Sequence, residues 1–125
     1  MATANAIRRG ISLFGLETEF RNVMCTWQHD VPWLLNKLES LGFNTIRIPF
    51  SYDYVHTGDW SVLDDLFHHI QETNLSAVLD FHRIDDTHQS PKPWIEGKID
   101  FEHFLQAWNT VLQRYGTNPR LTGLD

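Results

Sequence analysis

The sequence has few cysteines, no long apolar run and few basic residues, and each of these features excludes or disfavours a class of protein. Its single cysteine, Cys25, excludes an internal disulfide, and since nothing beside it marks a nucleophile, a small buried residue is expected there. No apolar run approaches the roughly 18 residues of a membrane span, so no membrane partner is expected. The 10 basic residues are outnumbered by 16 acidic ones, which argues against nucleic acid as a partner, because nucleic-acid binding draws on basic patches.

The remaining composition is that of a globular domain. Hydrophobic residues make up 42% of the 125 residues and charged residues 21%, which excludes a disordered chain or a fibrous repeat. The length allows one domain at most. Residues 1–10 lack the apolar core of a signal peptide, so the sequence leaves the cellular location unknown.

Strand-like and helix-like segments alternate along the chain. Strands are predicted at residues 11–17, 43–50 and 75–82, with the start of a fourth at 121–125, and the three helices between them have Asp30, Ser61 and Asp100 as expected N-caps. Loops are predicted at 52–60 and 83–99. Strands that alternate with helices indicate a parallel sheet of the α/β class. The pattern predicts either the N-terminal half of a (β/α)8 barrel or a small open sheet.

The chain reaches its last residue within the fourth predicted strand. A parallel strand without a covering helix exposes apolar surface and unpaired backbone groups. Residues 1–125 are therefore expected to be an N-terminal fragment or one half of an assembly. Such an assembly would form by self-association or with a complementary half-barrel.

Polar side chains lie near the carboxyl ends of the predicted strands, where parallel α/β folds have their active sites. Glu17, Arg47 and His82 hold such positions. Strand alternation puts Arg47 on one face of the second strand, and Asp80 with His82 on one face of the third. We expect these side chains to meet in a functional cluster. The alternative is that Arg47 and Asp80 only neutralise each other, while His82 only caps its strand.

A metal site is a weaker possibility. Residues of suitable type follow the third strand: Asp80, His82, Asp85, Asp86 and His88. Their spacing is loose, and no metal or other cofactor is predicted. His68 and His69 are adjacent on a predicted helix and point about 100° apart, so a solvated face is expected for them. A metal-dependent hydrolase therefore ranks third among the functions considered.

The positions of the tryptophans favour a glycan as the binding partner. Trp27, Trp60 and Trp94 lie in predicted loops, whereas Trp33 and Trp108 lie in helices, where a packing role is expected. A loop indole offers a flat apolar face to a sugar ring. The alternative is that the loop tryptophans only fasten their loops to the barrel rim.

Four stretches, in order, resemble glycoside hydrolase family 5, a family of (β/α)8 barrel endoglucanases. They are GISLFGLET at 10–18, LGFNTIRIPFS at 41–51, LDFHR at 79–83 with Gln89-Ser90 following, and the W-x5-R-Y-x2-N-P pattern from Trp108 to Pro119. The resemblance covers essentially the whole chain. It implies the N-terminal half of a barrel, about β1 to the start of β4, and a partial catalytic domain over residues 1–125.

The resemblance also implies roles for particular residues. Arg47 is similar to the arginine that holds the nucleophilic glutamate, and His82 to a histidine that orients the catalytic pair. Trp27 resembles a sugar-stacking tryptophan, and Glu17 and Trp94 are the other expected substrate contacts. The 52–60 loop is shorter than in similar endoglucanases.

The family's two catalytic glutamates have no counterpart in these residues. One belongs to an N-E-P motif that would follow Asp125, and the other to the seventh strand. Retaining glycosidases need both, about 5–5.5 Å apart. The resemblance therefore implies a retaining endo-β-1,4-glucanase, or cellulase, whose isolated fragment is inactive. The alternative is a non-catalytic glycan-binding or assembly half-barrel. The residues do not separate cellulose, mannan and xyloglucan as substrates, nor do they decide whether the protein shares the family's usual secretion.

Overall fold

The computed structural model of the chain describes residues 7–85, 87, 94 and 99–125. Its strands are β1 (Gly10–Ser12), β2 (Thr45–Ser51), β3 (Ser76–Arg83) and β4 (Leu121–Leu124). Its helices are α1 (Val31–Ser40), α2 (Tyr52–Thr57), α3 (Ser61–Gln71) and α4 (Phe101–Tyr115). The strands form one parallel sheet in the order β1-β2-β3-β4. The predicted alternation of parallel strands and helices is confirmed.

Two predicted helix N-caps are confirmed. The Asp30 side chain accepts a hydrogen bond from the Trp33 backbone N–H, and Asp100 does the same for His103. Each bond satisfies a backbone donor that the first turn of a helix leaves without a partner. These caps fix where α1 and α4 begin, and therefore where the loops before them end.

The third predicted cap is wrong by one residue. Helix α3 begins at Ser61, its N-cap is Trp60, and no side chain caps it. Asp59 instead accepts from both the backbone N–H and the hydroxyl of Ser61, at 3.0 and 2.7 Å. The predicted 52–60 loop also contains helix α2, which begins after Ser51 because that hydroxyl accepts from the Tyr54 N–H. A serine directly after the predicted strand at 43–50 is the sequence signal for this helix.

Other sequence expectations need correction. β1 ends at Ser12 rather than near residue 17, and β2 continues to Ser51, past Pro49. Cys25 is exposed rather than buried, and its φ of +65° places it in the left-handed region. On α4, Phe101 and Leu105 are exposed although both are apolar residues of that helix.

The core lies between one face of the sheet and the helices. Ile46, Ile48 and Phe50 of β2 are buried there with Leu79 and Phe81 of β3. The same face packs against the apolar sides of α1, α3 and α4. The opposite face of these strands therefore carries the polar residues, as strand alternation predicts. Among the helices within the described residues, none is long and apolar enough to cross a membrane.

Candidate active site

Three predicted site residues meet on the polar face of the sheet. Arg47 Nη2 of β2 lies 2.8 Å from Asp80 Oδ2 of β3. His82 Nδ1 lies 2.9 Å from the same oxygen. The register explains the meeting, because Pro49 pairs with Asp80 and places Arg47 beside the carboxyl half of β3. The predicted cluster of Arg47, Asp80 and His82 therefore forms, with Asp80 at its centre.

Asp80 is the most buried member of this cluster. Its side chain is 5% exposed, against 35% for Arg47 and 29% for His82. Both contacts to Oδ2 are at ion-pair distance, but neither has the angles of a hydrogen bond. Burial raises the pKa of Asp80, while the positive charge of Arg47 and then His82 act in the opposite direction. The carboxylate therefore depends on its two neighbours for stabilisation.

Two further residues complete the surroundings of Arg47, and the sequence interpretation missed both. Arg47 Nε donates to Asp125 Oδ2 at 2.8 Å, and Nη1 donates to the Ser12 hydroxyl at 3.3 Å. The backbone of Asp125 is in the ladder, with its N–H bonded to Leu79 O and its carbonyl oxygen accepting from the Phe81 N–H. The pairing of Leu79 with Leu124 places Asp125 beside Asp80, and this register is not visible in the sequence.

Glu17 has a structural role that the sequence did not suggest. Its side chain is buried, and Oε2 accepts from the Gly15 N–H at 2.7 Å. Gly15 has a φ of +137°, and a Cβ there would lie 1.9 Å from the Asn22 carbonyl oxygen. A glycine is thus required at this turn. These contacts fix the fold of the β1–α1 loop, and the predicted substrate contact of Glu17 stays a prediction.

The tryptophans divide into exposed and packed residues. Trp27, on the β1–α1 loop, is 81% exposed, and Trp94 is 39% exposed with its ring against Phe101 and Phe104. Both present ring surface to solvent, and their sugar contacts stay predictions.

The other three tryptophans differ in part from expectation. Trp60 is packed edge-on against Tyr54 and Tyr115, away from the polar cluster, so it fits the alternative of a loop fastener. Trp108 packs against the core, as expected. Trp33 was expected to pack but is 45% exposed, because it faces outward from α1 and stacks on His29 at 3.7 Å.

The possible metal ligands are only partly within the structure. Asp86 and His88 lie outside the described residues. Residues 7–85, 87, 94 and 99–125 contain no group of three or more side chains placed to hold a metal ion. His68 is exposed and His69 is half-buried 3.4 Å from Asp65, in line with the predicted solvated face.

Comparison with known families decides between the two predicted folds, the half of a (β/α)8 barrel and the small open sheet. The family model described as cellulase (glycosyl hydrolase family 5) matches residues 4–122, nearly the whole chain. The chain belongs to glycosyl hydrolase family 5. The resemblance carried by the four sequence motifs is confirmed, and with it the α/β fold class as the N-terminal half of a (β/α)8 barrel.

Two curated endoglucanases are similar to this chain. An endoglucanase of Paenibacillus polymyxa is 24% identical over 93% of this chain and 34% of its own length. The major extracellular endoglucanase of Xanthomonas campestris pv. campestris is 25% identical over 94% of this chain and 28% of its own length. The chain thus spans about a third of the length of the curated relatives it matches.

Solved structures give the same picture. An endocellulase of Pyrococcus horikoshii, in complex with cellotetraose, superposes with a TM-score of 0.83 and 28% identity. The match covers 93% of this chain and 35% of that one. The catalytic domain of the Xanthomonas endoglucanase has a TM-score of 0.81 at 24% identity and shows the shared fold.

Proposed function

We propose that residues 1–125 form the first part of the catalytic domain of a retaining endo-β-1,4-glucanase that hydrolyses β-glucan. The observation that carries the proposal is the cluster of Arg47, Asp80 and His82 on the polar face of the sheet, in a chain of family 5. The carboxyl ends of the strands are where a (β/α)8 barrel binds substrate. The cellotetraose bound by a similar endocellulase supports a β-glucan as the ligand.

The residues of this chain prepare the site and bind sugar. Arg47 holds a fixed positive charge on the polar sheet face, and such a charge lowers the pKa of a neighbouring carboxyl group. A glutamate nucleophile beside it would stay ionised and ready to attack the anomeric carbon. Trp27 supplies an exposed ring on which a sugar can stack, and the Glu17–Gly15 turn fixes the loop that carries it.

The acid/base and the nucleophile are assigned to residues outside 1–125. Retention requires two carboxyl groups about 5–5.5 Å apart, one of which attacks the sugar while the other protonates the leaving oxygen. Glu17 is buried against loop backbone, and Asp80 is engaged by Arg47 and His82. Neither of these two carboxylates is free for such roles, so the chain by itself is inactive in this proposal.

A second candidate function is a non-catalytic glycan-binding or assembly half-barrel. Three exposed apolar side chains of α4 and β4 favour an assembly: Phe101, Leu105 and Leu124. Exposed apolar side chains tend to find a partner where they form a patch. Another copy of the chain, or a complementary half-barrel, would cover it. Binding of β-glucan without turnover by the natural protein would then be the outcome.

The test uses the natural gene product that contains this chain. It is incubated with carboxymethyl cellulose, and reducing ends are measured alongside galactomannan and xyloglucan as alternative substrates. Proton NMR on a cello-oligosaccharide then follows which anomer forms first. The β-anomer first, with carboxymethyl cellulose preferred, supports the retaining endoglucanase. An α-anomer first contradicts retention, and binding without any turnover supports the half-barrel alternative.

A further inference from the structure

One carboxylate oxygen contacts both of the predicted supporting residues. We propose that Asp80 is a positioning residue, which holds His82 in the Nδ1–H tautomer and, together with Asp125, fixes the orientation of the Arg47 guanidinium. The first part concerns the chain alone. The consequence for catalysis rests on the proposed endoglucanase function.

The two contacts of Asp80 Oδ2 favour a negatively charged carboxylate. That charge then decides which ring nitrogen of His82 carries the proton. Arg47 Nη2, at 2.8 Å, belongs to a guanidinium that is always positively charged, so Asp80 Oδ2 is the negative partner of an ion pair. The same oxygen is 2.9 Å from His82 Nδ1. The contact lacks hydrogen-bond angles, so the preference is electrostatic: a proton on Nδ1 is attracted to the carboxylate oxygen at that distance, whereas a lone pair on Nδ1 is repelled. The proton of the neutral imidazole thus belongs on Nδ1.

This tautomer leaves His82 Nε2 as an acceptor. A neutral imidazole has one donor and one acceptor nitrogen, and fixing one role fixes the other. The His82 ring is 29% exposed. In the proposed enzyme, His82 would accept a hydrogen bond through Nε2 from a sugar hydroxyl or from a catalytic carboxylic acid. A ring free to change tautomer would lose that selectivity.

Arg47 is held from three strands. Its Nε donates to Asp125 at 2.8 Å after β4, Nη2 faces Asp80 on β3, and Nη1 reaches Ser12 on β1. A guanidinium is planar, so two carboxylates on different sides leave it one orientation. The guanidinium N–H groups that do not contact these partners are then held in one direction as well. The charged groups facing Asp80 are therefore Arg47 from β2, His82 from its own strand and Asp125 from the end of β4.

The tautomer is read directly from the chain by long-range proton–nitrogen NMR of the histidine rings, at a pH where His82 is neutral. His82 is expected to show the Nδ1–H pattern. His68 is exposed and is the control for the Nε2–H form that an unconstrained imidazole prefers. An Nε2–H pattern at His82 in the unaltered chain overturns the proposal without any variant.

Two substitutions separate positioning from a general structural role. Asp80→Ala removes the acceptor, and His82 is expected to change to the Nε2–H form. Asp80→Asn keeps an oxygen of the same shape and is expected to restore Nδ1–H. An Asp80→Ala variant that folds but keeps the Nδ1–H pattern overturns the proposal. If that variant does not fold, the tautomer of the unaltered chain decides.

Kinetics of the natural gene product test the catalytic consequence. Asp80→Ala is expected to lower kcat by about 10-fold, if the outer partners of metal-bound histidines are a guide, with KM little changed, whereas Asp80→Asn, which keeps an acceptor for the Nδ1–H, is expected to recover most of kcat. An equal kcat with a higher KM in Asp80→Ala overturns the positioning role in catalysis. A natural protein without cellulase activity but with His82 as Nδ1–H contradicts the proposed function, while the tautomer assignment stands.

Discussion

Two arginine–aspartate pairs occupy opposite sides of the sheet, and they differ in burial and in hydrogen bonding. The outer pair joins α3 to α4: Arg114 Nε donates to Asp64 Oδ1 at 2.9 Å, Nη2 contacts Oδ2, and the Tyr115 hydroxyl donates to Oδ1 at 2.7 Å. The inner pair is Arg47 and Asp80. Here Asp80 is nearly buried, and its contacted oxygen has no partner with hydrogen-bond angles.

The pKa directions express this difference. The hydrogen bond from Arg114 lowers the pKa of Asp64, so the outer pair favours the charged carboxylate. Burial raises the pKa of Asp80, so the fold carries an electrostatic cost at the inner pair. Such costs concentrate where function needs a particular arrangement. In the proposed enzyme, the outer pair would serve stability, whereas the inner pair would serve the chemistry.

The largest expected effect is a difference in enzyme activity between variants of Arg47 and Arg114. In the natural gene product, Arg47→Ala should lower kcat by something on the order of 10²-fold, as removal of a preorganised electrostatic contact does. Arg114→Ala is the matched control: it should lower the urea midpoint and leave kcat near its original value. Steady-state kinetics on a soluble cello-oligosaccharide measure the first effect. An Arg47→Ala enzyme that changes only in KM would contradict the catalytic role assigned to Arg47.

The next effect concerns sugar binding by the exposed Trp27 of the β1–α1 loop. Trp27→Ala should raise KM with kcat little changed, because stacking away from the cleaved bond is uniform binding. The loss should be roughly 1–3 kcal/mol, if bases on aromatic rings are a guide. Leu41→Ala removes an exposed apolar side chain beyond the carboxyl end of α1 and should leave KM unchanged. An unaltered KM in the Trp27 variant would favour a packing role for this loop.

The smallest effect is an opposite pH dependence of the two carboxylates. The folded pKa of Asp64 is lowered, so its stabilisation is present above the unfolded pKa of about 3.9 and is lost as the pH falls through the folded value. The folded pKa of Asp80 is raised, so its ionisation costs stability, and this cost disappears as the pH falls from neutral through that value.

Urea unfolding of the chain at several pH values measures both dependences. With acidification, the stability advantage of the unaltered chain over Asp64→Asn should shrink, and its stability relative to Asp80→Asn should grow. The same direction of change for both variants would show that the two pairs are electrostatically alike.

The strand faces were predictable from the sequence because strand alternation depends on local geometry alone. That geometry is enough to place Arg47, Asp80 and His82 on one face of neighbouring strands. The caps at Asp30 and Asp100 were predictable for the same reason. The Glu17–Gly15 turn was not, because Gly15 packs closely against Asn22 and Met24 further along the loop, and local sequence does not specify that packing.

The outer pair was missed for a related reason. Asp64 and Arg114 are 50 residues apart in the sequence, and their contact depends on how α3 and α4 pack. The loop position of Trp60 favours a glycan-facing role, whereas its packing against Tyr54 and Tyr115 is tertiary and leaves no local signal. Sequence patterns identified the family and the polar face of the sheet. The Asp64–Arg114 pair and the position of Trp60 depend on long-range packing, which those patterns do not contain.

The most direct test of the central claim is an NMR titration of this chain with cellotetraose, with maltotetraose as the control for linkage. A site worth about 4 kcal/mol is half-filled near 1 mM, so additions to about 10 mM cover it. The indole signal of Trp27 and the ring of His82 should shift saturably, while those of Trp60 and Trp108 stay fixed. Shifts centred on Trp60, or equal shifts with both sugars, would contradict the claim that the polar face of the sheet binds β-glucan.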